Sequence, residues 1–462
     1  MGSAYNKNEV RRGDVMNWKD SYKSKLMSAE EAAKIVKSGD RFWTPLCLSQ
    51  PSTLIMDAIA DRKDELEDIE YVFAFILRPY KLLQPEYRDT FDLVSTFYSP
   101  MPHQQQLAKS EWANYWACQS SDVAIKVPHR ERVIPKRMGT ILQVSPPNEH
   151  GYVNLGLDSF FTAALMQNSE YVIAEINEYM PRTFGETDFH VSKFTAFVEN
   201  STPLPTLPSP TASELEVKMA ENVVGLIRDR DCLQVGIGSV PAMISKLLQE
   251  SGLKDIGIHT ELAPTGIKEL VEKGVVTGKY KKVSPGKIVL TFAMGDQELY
   301  DWLGNNPLLE WRPTLYANNI AVIAQEHNMV AINGTLAVDL TGQISSESMG
   351  NFMRSGPGGQ LDFVVGAFWS PGGRAINLVP STAKNGEISR IVPYLDPGTR
   401  VTVPRTYAGY IVTEYGVADL YGLSEPERAA ALIKVAHPKF TDELEKASRE
   451  RGLLQKKIFA TS

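Results

Sequence analysis

The stretch Asp231–Gly266, DCLQVGIGSVPAMISKLLQESGLKDIGIHTELAPTG, reads as strand, glycine turn, helix and strand, closed by one carboxylate. Cys232 to Val235 is an apolar run that ends at Gly236-Ile237-Gly238. Pro241 opens a helix with Met243, Ile244, Leu247 and Leu248 on one face; proline fits a first helical turn because the N–H it lacks has no partner there. Gly252 follows the helix as a C-terminal glycine. Ile256 to Ile258 starts a second strand, with His259-Thr260-Glu261 at its C-terminal end. Ligands of open α/β sheets bind at that end. A glycine turn entering a helix also offers free N–H groups to an anion. One βαβ unit thus joins a carboxylate to a candidate oxyanion site. Gly236-x-Gly238 also matches the start of a dinucleotide fingerprint, but Pro241 stands where the third glycine belongs. Taken alone, Glu261 reads as a solvated or capping carboxylate.

The same order of elements occurs earlier in the chain. Ser28 to Glu31 and Ser213 to Glu216 are both capping boxes, in which Ser and Glu satisfy each other's backbone N–H groups. A strand is expected over Phe42 to Leu48, a helix opening at Ser49-Gln50-Pro51, and a strand from Asp68-Ile69 to Leu77. These match Cys232–Val235, Ser239-Val240-Pro241 and Asp255-Ile256 at an offset of about 185 to 190 residues. Two halves of one α/β fold follow, each with a mainly parallel sheet and helices outside. The boundaries fall at 16–202 and 211–462, joined by the proline-rich linker 203–210; residues 1–15 are polar and read as a tail or leader. The repeat fails at one informative place. Glu261 falls opposite Ala74, so only the second half presents a carboxylate there.

Length and composition bound the rest. The chain has 462 residues, enough for two or three domains, and a net charge of −7. No basic run suggests nucleic acid or a membrane surface. No apolar run reaches the roughly 18 residues of a membrane span, and no signal peptide is evident. Cys47, Cys118 and Cys232 are far apart, which points to a reducing, cytoplasmic setting and to no disulfide or metal pattern. Glu149-His150, within Pro146–Gly156, reads as an acid–base pair or as a hairpin tip; the surrounding Pro, Asn and Gly favour the tip.

The second half carries further motifs. Met329 to Gly334 is a strand entering a turn. Gly356-Pro-Gly-Gly359 is a loop that a ligand can approach closely. Thr413-Glu414-Tyr415-Gly416 follows the apolar run Ala408 to Val412.

With Gly236-Ile-Gly238, His259-Thr-Glu261, Gly356-Pro-Gly-Gly-Gln-Leu-Asp-Phe363 and Thr413-Glu-Tyr-Gly-Val-Ala-Asp-Leu-Tyr-Gly422 in this order, the chain resembles the acetyl-CoA hydrolase/transferase family. These are class I coenzyme A transferases, and the likeness is to their 4-hydroxybutyrate and butyrate:acetate branch, over about residues 16–455. The resemblance implies an active site between two α/β domains. It implies a CoA-transferase that moves CoA from a short-chain acyl-CoA to an acid such as acetate, by a ping-pong route. An acyl-CoA hydrolase on the same site is the alternative, and a catalytically dead ligand-sensing module is a third reading. No permanently bound cofactor or metal is implied; the CoA thioester is the substrate, and the partner expected is a second copy of the chain or a higher homo-oligomer. By position, Glu261 matches the nucleophile, Glu414 a second active-site glutamate and Asn333 an active-site asparagine. Gly236, Ile237, Gly238, Gly358 and Gly359 match oxyanion and CoA-contacting backbone. Lys384 falls near a CoA-contacting lysine. The loop Leu46–Pro51 departs from the glycine-rich acyl-pocket loop of many relatives, which leaves the acyl group open.

Overall fold

A computed structural model of the protein describes residues 17–208, 211–236 and 238–453. The first sheet holds seven strands: β1 Arg41–Trp43, β2 Ile69–Ala74, β3 Phe91–Phe97, β4 Ala113–Tyr115, β5 Met138–Val144, β6 Tyr171–Ile176 and β7 Ala196–Glu199. Their order is β4-β3-β2-β1-β5-β6-β7, and all neighbours are parallel. The second sheet holds six: β8 Cys232–Val235, β9 Gly257–Ile258, β10 Met329–Gly334, β11 Arg374–Leu378, β12 Tyr410–Thr413 and β13 Gly416–Asp419. Their order is β9-β8-β10-β11-β12-β13, parallel except for the hairpin strand β13. The runs β2-β1-β5-β6-β7 and β9-β8-β10-β11-β12 are one topology used twice.

The repeat extends to local detail. Ser28 and Ser213 each complete a capping box at a helix start, Ala29–Ala33 and Glu214–Val224. Asp40 accepts a hydrogen bond from the Lys37 N–H at 2.8 Å, and Asp231 accepts one from the Arg228 N–H at 2.7 Å. Each turn delivers the chain into the first strand of its sheet. Asp68 and Asp255, entering the second strands, are both left-handed, with φ of 54° and 59°. Aspartate tolerates this conformation better than most side chains.

The halves diverge after their first strands. β1 ends at Trp43 rather than running to Leu48, and Cys47–Ser49 form a single 3-10 turn with Cys47 at φ 45°. The next helix is Thr53–Ala60, later than expected, because Ser52 rather than Ser49 caps it: its Oγ accepts from the Leu54 N–H at 3.1 Å. Gln50 meanwhile turns inward and donates to the Ala74 carbonyl at 3.1 Å. In the second half, the turn after β8 passes into the helix α1, Ser239–Leu248. One buried cluster runs through both halves, from Trp43 and Phe161 to Val235, Ile258 and Trp311. Among the described residues, no helix is long and apolar enough to cross a membrane.

Candidate active site

Glu261 follows β9 at the C-terminal edge of the second sheet. Its own carbonyl is fixed by three donors: the Thr291 N–H at 2.8 Å, the Thr291 hydroxyl at 2.9 Å and the Phe292 N–H at 3.0 Å. With the backbone held, the side chain projects into a cavity of about 290 Å³. The cavity lies between the halves: Ala74, Phe97 and Ser120 come from the first, and Val235, Gly236 and Asn333 from the second. Ala74, the repeat counterpart of Glu261, lines the same cavity from the other side.

The carboxylate is held by Asn318, whose Nδ2 donates to Glu261 Oε1 at 2.8 Å. Ser120 and Gly359, on the same cavity wall, also favour its ionised form. Burial raises the Glu261 carboxyl above its ordinary value, and these donors partly counter the rise by favouring the ionised form. A carboxylate held by a donor yet poorly solvated can serve as a nucleophile. A Cβ on Gly359 would stand 2.5 Å from Glu261 Oε2, so only glycine leaves room for the carboxylate.

Gly359 begins the helix α2, Gln360–Trp369. The loop before it crosses to the first half, where the Gly358 carbonyl accepts from the Ser120 N–H at 2.9 Å. Gly358 has φ +55°, a left-handed position suited to glycine. Two residues into α2, Asp362 is fully buried. It accepts from the Ser121 hydroxyl at 2.7 Å and from Asn318 Nδ2 at 3.2 Å. Burial, reinforced by the nearby Glu261 charge, pushes its carboxyl up to about 7.

The expected site residues separate into two groups. Gly236, Gly358, Gly359, Asn333 and Glu261 all line the cavity. Asn333 exchanges side-chain hydrogen bonds with Gln234 at 2.9 and 3.2 Å across β10 and β8. Gly238 caps α1 with φ 125° and ψ −175°, open to glycine alone; Ile237 lies outside the described residues. Glu414 is not among the lining residues; it accepts from the Ser381 N–H at 3.0 Å and from the Ser381 hydroxyl. Lys384 is exposed in a hairpin turn at φ 48°, also off the cavity lining. Glu149 and His150 are exposed at a hairpin tip, where Asn148 Oδ1 accepts from the His150 and Tyr152 N–H groups. His259 is fully buried; its Nε2–H donates to the Ala317 carbonyl at 2.8 Å, and burial pushes its pKa down to about 3, so it stays neutral. Asn318, Asp362, Ser120 and Ser121 were missed by sequence reasoning. Asp362 lay inside a quoted motif, Gly356–Phe363, so its proximity to the glycines was the available signal.

Two parallel sheets of one topology, meeting over a carboxylate flanked by glycine loops, have the coenzyme A transferase fold. The fold is shared with RipA from Yersinia pestis, at a TM-score of 0.88 and 34% identity over 95% of this chain and all of that one. It is shared also with a 4-hydroxybutyrate CoA-transferase from Porphyromonas gingivalis, at a TM-score of 0.79 and 34% identity over 94% of this chain and all of that one. The chain belongs to the acetyl-CoA hydrolase/transferase family. The family's N-terminal domain matches residues 136–208 and its C-terminal domain residues 295–448. The chain is 38% identical to the 4-hydroxybutyrate coenzyme A transferase of Clostridium kluyveri, over 94% of this chain and all of the relative. It is 37% identical to the butyryl-CoA:acetate CoA-transferase of Anaerostipes caccae, over 93% and 97% of the two chains.

Proposed function

We propose that the protein transfers coenzyme A between a short-chain acyl-CoA and a carboxylic acid such as acetate, with Glu261 as the covalent carrier. The observation that carries this reading is Glu261 itself, a desolvated carboxylate held by Asn318 at 2.8 Å in a cavity between glycine loops. Glu261 attacks the thioester carbonyl; the C–S bond breaks, CoA leaves as thiolate, and a mixed anhydride remains. The thiolate then attacks the glutamyl carbonyl of the anhydride. The first acid leaves as its carboxylate, and a glutamyl-CoA thioester forms. An incoming carboxylate attacks that thioester, displacing CoA thiolate and forming a new anhydride. The thiolate attacks its acyl carbonyl, giving the new acyl-CoA and restoring Glu261.

Each addition makes an oxyanion, which backbone N–H groups of the Gly236–Gly238 turn and the Gly358–Gly359 loop would stabilise; losing one such donor costs ~3 kcal/mol. Asn333, on the cavity wall, orients substrate. Residues 16–202 and 211–462 act as the two domains between which substrate binds.

Borohydride trapping tests the carrier. After incubation with acyl-CoA and no acceptor, a glutamyl thioester is reduced to an alcohol, lowering the mass of the peptide that holds residue 261. Exchange without that modification, or modification of Glu414 instead, would overturn the assignment. Thiol release that acetate never redirects into acetyl-CoA would mark a hydrolase.

A further inference from the structure

His259 and Glu261, two residues apart, reach adjacent residues of one turn: His259 bonds Ala317 and Glu261 bonds Asn318. The His259 backbone is fixed on both flanks. Its N–H donates to the Leu233 carbonyl at 3.0 Å, and the next N–H, of Thr260, donates to the Val289 carbonyl at 3.1 Å. Ala317 closes the short helix Thr314–Ala317, so its carbonyl has no helical partner. A carbonyl only accepts, so His259 Nε2 carries the proton and donates to it at 2.8 Å. Burial, with the Lys281 ammonium nearby, keeps the ring neutral, and Nδ1 is buried with no protein partner among the described residues. The ring also stacks over Tyr316 at 6.4 Å and meets Phe363 edge-on at 6.2 Å. Phe363 follows Asp362, the second carboxyl on Asn318 Nδ2.

We infer that His259 is a positioning residue for the transfer reaction: its bond to the Ala317 carbonyl sets Asn318 where Nδ2 holds the Glu261 carboxylate. His259 does not line the cavity, so it acts through Asn318 and not on substrate. The inference rests on the transferase reading for what Glu261 does, but the placement of Asn318 can be observed by itself. The Ala317 carbonyl, the Asn318 nitrogen and the Asn318 Cα lie in one rigid peptide plane, so the bond from His259 fixes the plane that carries Asn318. Asn318 has few other anchors. Its N–H donates to the Thr314 carbonyl at 3.0 Å, and its Oδ1 is buried with no protein partner among the described residues. The amide is therefore placed by its backbone and by the two carboxyls that share Nδ2. An apolar side chain at position 259 would fill this space without burying an unmet Nδ1. What it could not supply is the N–H.

The test compares His259→Phe, which keeps a ring and loses the donor, with His259→Gln, whose amide can donate to Ala317. Each is made alone and together with Asn318→Ala, and exchange between butyryl-CoA and acetate is followed. His259→Phe should lower kcat by ~10- to 10²-fold, as for a reacting group displaced by about 1 Å, with KM for butyryl-CoA nearly unchanged. His259→Gln should recover most of that loss. In the Asn318→Ala background, His259→Phe should cost little more, because residues that act as a unit are not additive. Losses that multiply in the double variant, or a His259→Gln as slow as His259→Phe, would overturn the inference. Where His259→Phe does not fold, His259→Gln decides: turnover near that of the wild type supports the donor's role, and a ~10²-fold loss in the folded variant overturns it. Crystal structures separate the positioning from the mechanism. Asn318 Nδ2 drawn out of reach of Glu261 in His259→Phe supports it even if the wild type proves to be a hydrolase or inert; Nδ2 retained at 2.8 Å overturns it.

Discussion

Glu261 and Asp362 are joined through one nitrogen: Asn318 Nδ2 donates to Glu261 Oε1 at 2.8 Å and to Asp362 Oδ2 at 3.2 Å. Two buried carboxyls sharing a donor cannot both ionise freely. Burial raises both carboxyls, and the charge of Glu261 is among the causes that push Asp362 up to about 7.

Asn318→Ala should lower kcat by ~10- to 10²-fold, the value of a hydrogen bond to a charged group, with a smaller change in KM for acyl-CoA. Steady-state kinetics of exchange checks this. Unchanged kcat would mean that Ser120 and Gly359 position the carboxylate without Asn318.

Asp362→Asn should alter the pH profile of kcat/KM. In the wild type, ionisation of Asp362 near pH 7 places a second negative charge beside Glu261, and the profile bends there. The variant has no such group, so the bend near 7 disappears. A bend retained in the variant would assign it to another residue.

Asp158 sets a stability prediction. It is fully buried, and burial pushes it up to about 7 from 3.8. The folded state therefore holds a proton that the unfolded chain has lost between those values. Wild-type stability falls as pH rises across that window and then levels off. Asp158→Asn removes this dependence but loses one acceptor, at ~1–3 kcal/mol. Urea unfolding should show the variant clearly weaker at pH 5 and the gap narrowed at pH 8. A constant gap would mean that Asp158 is ionised in the fold at both pH values.

Gly359→Ala should fold normally, because φ at this position is −96° and suits any residue. The added Cβ would crowd Asn318 Nδ2 and stand 2.5 Å from Glu261 Oε2, displacing both partners of their hydrogen bond. An displacement of about 1 Å costs ~10²-fold in rate. Matching circular dichroism with full exchange activity would refute the packing argument.

Glu261→Asp shortens the arm by one methylene and should likewise cost ~10²-fold in exchange, while Glu261→Ala abolishes it. Isotope exchange between acyl-CoA and acetate measures both. Activity retained in Glu261→Ala would end the carrier mechanism.

The order of strands and helices, the doubled topology and the position of Glu261 after its strand were legible in the sequence. Those features rest on short-range patterns: apolar runs, capping boxes such as Ser28 and Ser213, and turn glycines. The repeat also set Ala74 opposite Glu261, and both line the cavity. The early end of β1 was not legible, because Cys47 at φ 45° breaks a run whose composition favours a strand. The grip on the Glu261 carboxylate was decided only by the tertiary structure. Asn318 reaches Glu261 across 57 residues of chain, and Ser121 reaches Asp362 across 241. Periodicity reports which face of an element is buried, but a hydrogen bond between residues distant in sequence exists only once the chain has folded, within the second half for Asn318 and Glu261 and across the two halves for Ser121 and Asp362. Packing within the second half keeps Glu414 on Ser381 and Lys384 in an exposed hairpin, while docking of the halves brings Phe75, Phe97 and Phe160 to the carboxylate's cavity.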